Sequence, residues 1–189
     1  MTLEEAQRES RTVFMGGMVG QLVTGVLWLL SAGIATWISP RRAIAMLCLS
    51  GVLIYPLTQL VLRLMGRRAS LRRENPLGHL AMQIAFTVPL GMPLVGAATL
   101  HRLSWFYPAT MIVVGAHYLP FVFLYGMRHF AVLCGLMVGG GILLGLYWGG
   151  AFSLGGWLTG TTLVGFGILG GFLARREAQG ARSTVRSEG

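Results

Sequence analysis

WFYPATMIVVGAHYLPFVFLYGMR, residues 105–128, decides the fold. Twenty-four residues wound as a helix rise about 36 Å, enough to cross the ~30 Å hydrocarbon layer of a bilayer. The segment has an interfacial tryptophan at its start, Trp105, and a full charge only at its end, Arg128. Near its middle stands His117, followed by Tyr118 and Pro120, which removes one backbone donor and is expected to kink the helix.

Five more blocks of similar kind surround it. The expected spans are 15–38, 43–65, 77–100, 105–128, 130–148 and 157–173. Together they give an all-α polytopic helix bundle with six transmembrane helices. The chain is 54 % hydrophobic and 11 % charged, far below the roughly 25 % charge of a soluble domain. The turns between blocks carry their own signals, Ser39-Pro40-Arg41-Arg42 and Asn75-Pro76 among them. Residues 1–14 read as a short cytoplasmic surface helix, capped by Thr2 with Glu5 three positions on, and not as a cleavable signal. Residues 15–173 form the membrane domain. Residues 174–189 read as a polar cytoplasmic tail, with Arg175-Arg176-Glu177 stopping the last span.

The formal net charge is +9, and all fifteen cations are arginine. Such a balance often marks nucleic-acid binding, but here the arginines flank apolar blocks, so no nucleic-acid partner is expected. With the N-terminus inside, twelve arginines fall on inner segments and three on outer loops. That bias follows the positive-inside rule and puts both termini in the cytoplasm of a bacterial inner membrane.

Several chemistries lose their support. All six carboxylates, Glu4, Glu5, Glu9, Glu74, Glu177 and Glu188, lie outside the spans, which removes the usual proton relay and cation site of a membrane protein. No P-loop, dinucleotide motif, nucleophile elbow or zinc signature is present, so no cofactor is expected and the chain leans away from enzymes. His79, His101 and His129 lie at depths unlike that of His117, so no metal site is expected. Cys48 and Cys134 read as small buried hydrophobes.

Polar residues inside the spans fall in stripes. Gly17, Gln21, Thr24, Trp28 and Ser31 step by three and four, as do Tyr55, Gln59 and Arg63; His79, Gln83, Thr87 and Gly91; and Thr110, Val114, His117, Phe121 and Tyr125. Such spacing puts each set on one helix face. Lipid cannot bond these groups, so the stripes are expected to face the bundle interior. They would either hold the bundle together or line a polar cavity of His117, Tyr118, Tyr55, Gln83, Gln21, Thr24 and Thr87. Pro56, Pro89, Pro93 and Pro120 are the expected kinks. Gly51-x4-Pro56 and Gly115-x4-Pro120 lie 64 residues apart and hint at a repeated hairpin. Gly141-x3-Gly145-x3-Gly149 and Gly167-x3-Gly171 suggest close helix packing.

The run Gly115-Ala-His-Tyr-Leu-Pro-Phe121, with Phe106-Tyr107-Pro108 before it and Leu124-Tyr-Gly-Met-Arg128 after it, resembles a family of six-span bacterial membrane proteins of unknown function. That likeness implies a fold and a location but no activity. Phe106-Tyr107-Pro108-Ala109-Thr110, with Gly115, Tyr118 and Leu119, is also similar to the third-span segment of bacterial urea and amide channels. Those proteins usually have a glycine between the Tyr and Pro, missing here, and their N-terminus lies outside. The functional expectation is a membrane protein that binds or passes a small neutral or weakly polar solute. The alternative is a non-transporting structural or regulatory subunit acting through helix–helix and inner-loop contacts; the expected partners are the bilayer, a small solute and a homo-oligomer.

Overall fold

The computed structural model describes residues 1–67 and 70–187, with side chains described through Arg176. It contains eight α-helices and no strand among the described residues: α1 Leu3–Phe14, α2 Met18–Trp37, α3 Pro40–Leu64, α4 Leu77–His101, α5 Phe106–His117, α6 Phe121–Tyr125, α7 His129–Tyr147 and α8 Leu154–Ser187. Six stretches are long and apolar enough to cross a membrane. The protein is therefore an integral, multi-pass membrane protein. The last apolar stretch, Leu154–Arg176, ends near the expected stop, while the helix itself runs on past Arg175 and Arg176 without a break. Ala174, Arg175, Arg176 and the residues after them include good helix formers, and no proline follows to end the helix.

Two helix pairs form the centre. α2 packs most extensively on α8, and α5 on α7; α3 lies against the outside of α2, and α4 against the outside of α5. Glycines let the central pairs approach closely. A Cβ on Gly25 would fall 3.0 Å from Gly160 O, and one on Gly141 2.7 Å from Pro108 O. Gly167 and Gly171 face Gln21 and Met18 of α2, as their spacing suggested. At the end away from the termini, Tyr107 ties the pairs together. Its hydroxyl donates to Ser31 Oγ at 2.6 Å, and Ser31 Oγ donates to Ala43 O at 3.0 Å, joining α5, α2 and α3. The Trp28 and Phe152 rings pack on the same tyrosine.

Of the four expected kink sites, only Pro120 interrupts a helix; α3 runs unbroken through Pro56, and α4 through Pro89 and Pro93. Each proline removes a single ladder bond, and in lipid no water competes for the others. At Pro120 the chain instead tightens into three-residue turns. Leu119 N donates to Ala116 O, Phe121 N to Tyr118 O and Val122 N to Leu119 O, so the Ala116 carbonyl is satisfied. Gly51 has open space around it, whereas a Cβ on Gly115 would sit 2.7 Å from Met137 Cβ. The two Gly-x4-Pro motifs are thus used differently, and the repeat they hinted at is not supported.

α1 is fastened across the terminal end of the bundle. Thr2 and Glu5 form the expected capping box. Met15, Gly16 and Gly17 turn the chain from α1 into α2 through positive φ, at Gly16 +62° and at Gly17 +80°. Gln7 Nε2 donates to Phe123 O at 2.6 Å, and an Arg11 guanidinium nitrogen donates to Tyr125 O, so α1 satisfies carbonyls of the short helix α6. From the other side, buried Asn75 donates to Ala6 O and to Glu9, while its own Oδ1 accepts from Leu77 N. Glu9 also accepts from Arg72 N at 3.0 Å, with Arg72 Nε 3.8 Å away.

Candidate functional site

The seven residues expected to share a polar cavity lie in three separate settings. Gln21 and Thr24 are buried on α2, with Gln21 beside Gly167 of α8. Thr24 donates to Gly20 O of its own helix at 2.8 Å. Gln21 is 2 % exposed, and neither atom of its amide has a hydrogen-bond partner among the described residues. An unpaired buried amide costs about 1–3 kcal/mol, so this is the bundle's most poorly satisfied interior position.

His117 and Thr87 meet at the seam of α5 and α4, with His117 Nδ1 2.8 Å from Thr87 Oγ1. Thr87 Oγ1 also lies 2.7 Å from Ile84 O, so the hydroxyl sits between the imidazole and a carbonyl of its own helix. Tyr118 follows but turns inward, buried against Phe121 and stacked 6.2 Å from the Phe130 ring of α7. Around the break, Phe121, Tyr125, Phe130 and the two histidines extend this aromatic packing.

Tyr55 and Gln83 correct the expectation most clearly. Tyr55 is 70 % exposed on the outer face of α3, and Gln83 is exposed on α4. The stripe of α3 points away from the centre, while that of α4 is divided: His79 and Gln83 are exposed, and Thr87 and Gly91 reach α5 at His117 and Val113. Only 11 % of the most apolar window of α3 and of α4 is buried, against 44 % of the window that includes α2. Cys48 is likewise exposed on α3 and not buried as expected. Beside Tyr55 lies a groove of about 410 Å³ lined by Pro56, Gln59, Leu60 and Arg63. Among the described residues no three His, Cys, Asp or Glu side chains converge on a point that could hold a metal.

Two groups of functional interest escaped the reading of the sequence. Ser31 lies on a recognised stripe, but nothing pairs it with Tyr107, 76 positions away. The seat of α1 depends on Phe123, Tyr125 and Asn75, which are equally remote, and carries no local signal. No curated protein and no solved structure matches the chain, and the likeness to urea and amide channels gains no support. One family of unknown function, DUF7010, matches residues 3–173, nearly the whole length that crosses the membrane, and the chain belongs to it.

Proposed function

We propose that the protein is a non-transporting membrane subunit that works through the outward faces of α3 and α4. The observation that carries this reading is the exposure of Tyr55 on α3 and Gln83 on α4. Tyr55 and Gln83 meet the surroundings of the bundle, while its centre is filled by Trp28, Tyr107, Phe106 and Phe130. Polar groups at hydrocarbon depth are poorly served by lipid and well served by another helix. The arginine distribution supports a bacterial inner membrane location with both termini cytoplasmic.

The solute-binding reading keeps one observation in its favour, the unpaired amide of Gln21, which a small polar solute would satisfy. Two measurements separate the readings. A photoreactive residue at position 55 or 83 is expected to give discrete protein adducts in cells, and one at exposed Ile142 of α7 is not. Proteoliposomes are expected to pass urea and glycerol no faster than protein-free vesicles. Permeation above that background, reduced by Gln21→Leu or His117→Ala in folded protein, would overturn the subunit reading.

A further inference from the structure

We propose that the outer face of α3 is a self-pairing surface, and that its partner is a second copy of this chain related by a twofold axis along the membrane normal. This rests on the reading above and names the partner. Cys48, Gly51, Tyr55 and Gln59 step by three, four and four, which lines them along one side of the helix as a seam. Cys48 and Tyr55 are exposed, and a Cβ at Gly51 would meet nothing within 4 Å. The glycines that serve packing inside the bundle, such as Gly25, Gly115 and Gly141, have neighbours closer than 3 Å to that position. Gly51 therefore leaves room on this face for a helix to approach.

Depth selects the partner. Gln59 lies five residues, about 8 Å, before the end of α3 at Leu64, and Tyr55 about 14 Å before it, both within the hydrocarbon. Neither the Tyr55 hydroxyl nor the Gln59 amide has a hydrogen-bond partner among the described residues. Copies in one membrane share an orientation, so a twofold along the normal sets each residue opposite its own counterpart. An amide carries both donor and acceptor, as does a phenol, so Gln59 satisfies Gln59 and Tyr55 satisfies Tyr55 across that axis. A phospholipid headgroup fits less well, because Tyr55 is deeper than its phosphate. Arg63, one turn beyond Gln59, reaches the interface, where water and salt weaken the repulsion of two like charges. The groove beside Tyr55 supplies the relief into which side chains of a neighbouring helix pack.

Cys48 provides a native reporter. Full-length protein carrying Cys134→Ser, in lipid vesicles at low protein density, is expected to form a Cys48–Cys48 dimer with a short bis-maleimide. A cysteine placed at Leu146 on α7, in a chain lacking both native cysteines, is expected to remain monomeric. Tyr55→Leu with Gln59→Leu is expected to reduce the Cys48 dimer at least tenfold, and Gly51→Leu to do so independently. Native mass measurement of the unmodified protein guards against misfolded variants and is expected to show a dimer. A monomer with or without bound lipid, no Cys48 dimer, or a dimer indifferent to both sets of substitutions would overturn the proposal. Adducts from position 55 to a different protein, without the Cys48 dimer, would overturn self-pairing and leave the subunit reading standing. Absence of both would remove the two together.

Discussion

Tyr107 is completely buried, and its hydroxyl starts a relay through Ser31 to the carbonyl of Ala43. Hydrogen bonds between helices in a membrane contribute about 0.6 kcal/mol on average and up to ~1.7. Tyr107→Phe keeps the ring packing and removes one bond, so it is expected to lower stability by about 1 kcal/mol in a detergent-unfolding titration. Gln21 is expected to behave in the opposite way. Its amide is buried and unpaired, so Gln21→Met keeps the volume, removes the desolvation cost and is expected to stabilise by about 1 kcal/mol in the same titration. A loss of stability there would mean that the amide has a partner, such as a water or a solute. Both residues show how far single positions were legible. The spacing of Gln21, Thr24, Trp28 and Ser31 marked one face of α2, and that face is buried. Whether each group on it finds a partner depends on helices far away in the chain.

Spacing told which residues of a helix lie together, but not what they face. The stripe of α2 turned inward and that of α3 outward, while that of α4 splits between exposed Gln83 and Thr87, which meets His117 of α5, though their steps of three and four are alike. What differs is the number of neighbours each helix has, a property of the assembled bundle. The same holds for proline: Pro56, Pro89 and Pro93 sit in unbroken helices, and Pro120 ends one, beside a Tyr118 ring buried against Phe130. Glycine makes the distinction testable within a single element. On α7, Gly141 lies against Pro108 O, while Gly135 has nothing within 4 Å. Gly141→Ala must displace backbone and is expected to cost about 1–3 kcal/mol. Gly135→Ala meets open surroundings and is expected to be neutral, or stabilising by up to about 1 kcal/mol through helix propensity. Equal effects of the two would show that α5 and α7 are not packed as closely as described.

At the scale of the whole molecule, length and charge were the readable quantities. Six apolar blocks gave six spanning stretches, with bounds within a few residues of those expected except at the first, where the apolar stretch runs on from α1 at Leu3. The order of packing, with α2 beside α8 and α5 beside α7, had no local signature. Orientation is open to a direct check. In a chain without native cysteines, a cysteine at Ser153 is expected to react with an impermeant thiol reagent in intact cells, and one at Ser70 only after lysis. The reverse pattern would invert the topology.

The pairing of α2 with α8 also bears on how the chain is made. The first of the six spans has its principal neighbour in the sixth, separated by more than a hundred residues of chain. Until residue 154 and its successors are inserted, the face of α2 with Gln21, Thr24 and Gly25 waits against lipid or an insertion chaperone. α1 waits as well, since Tyr125 and Asn75 emerge long after it. The bundle is therefore expected to close only once the sixth span has been made. A message truncated before codon 154 is expected to yield five spans that insert but are cleared by membrane proteases. Co-expression of the missing segment, residues 154–189, is expected to restore its abundance.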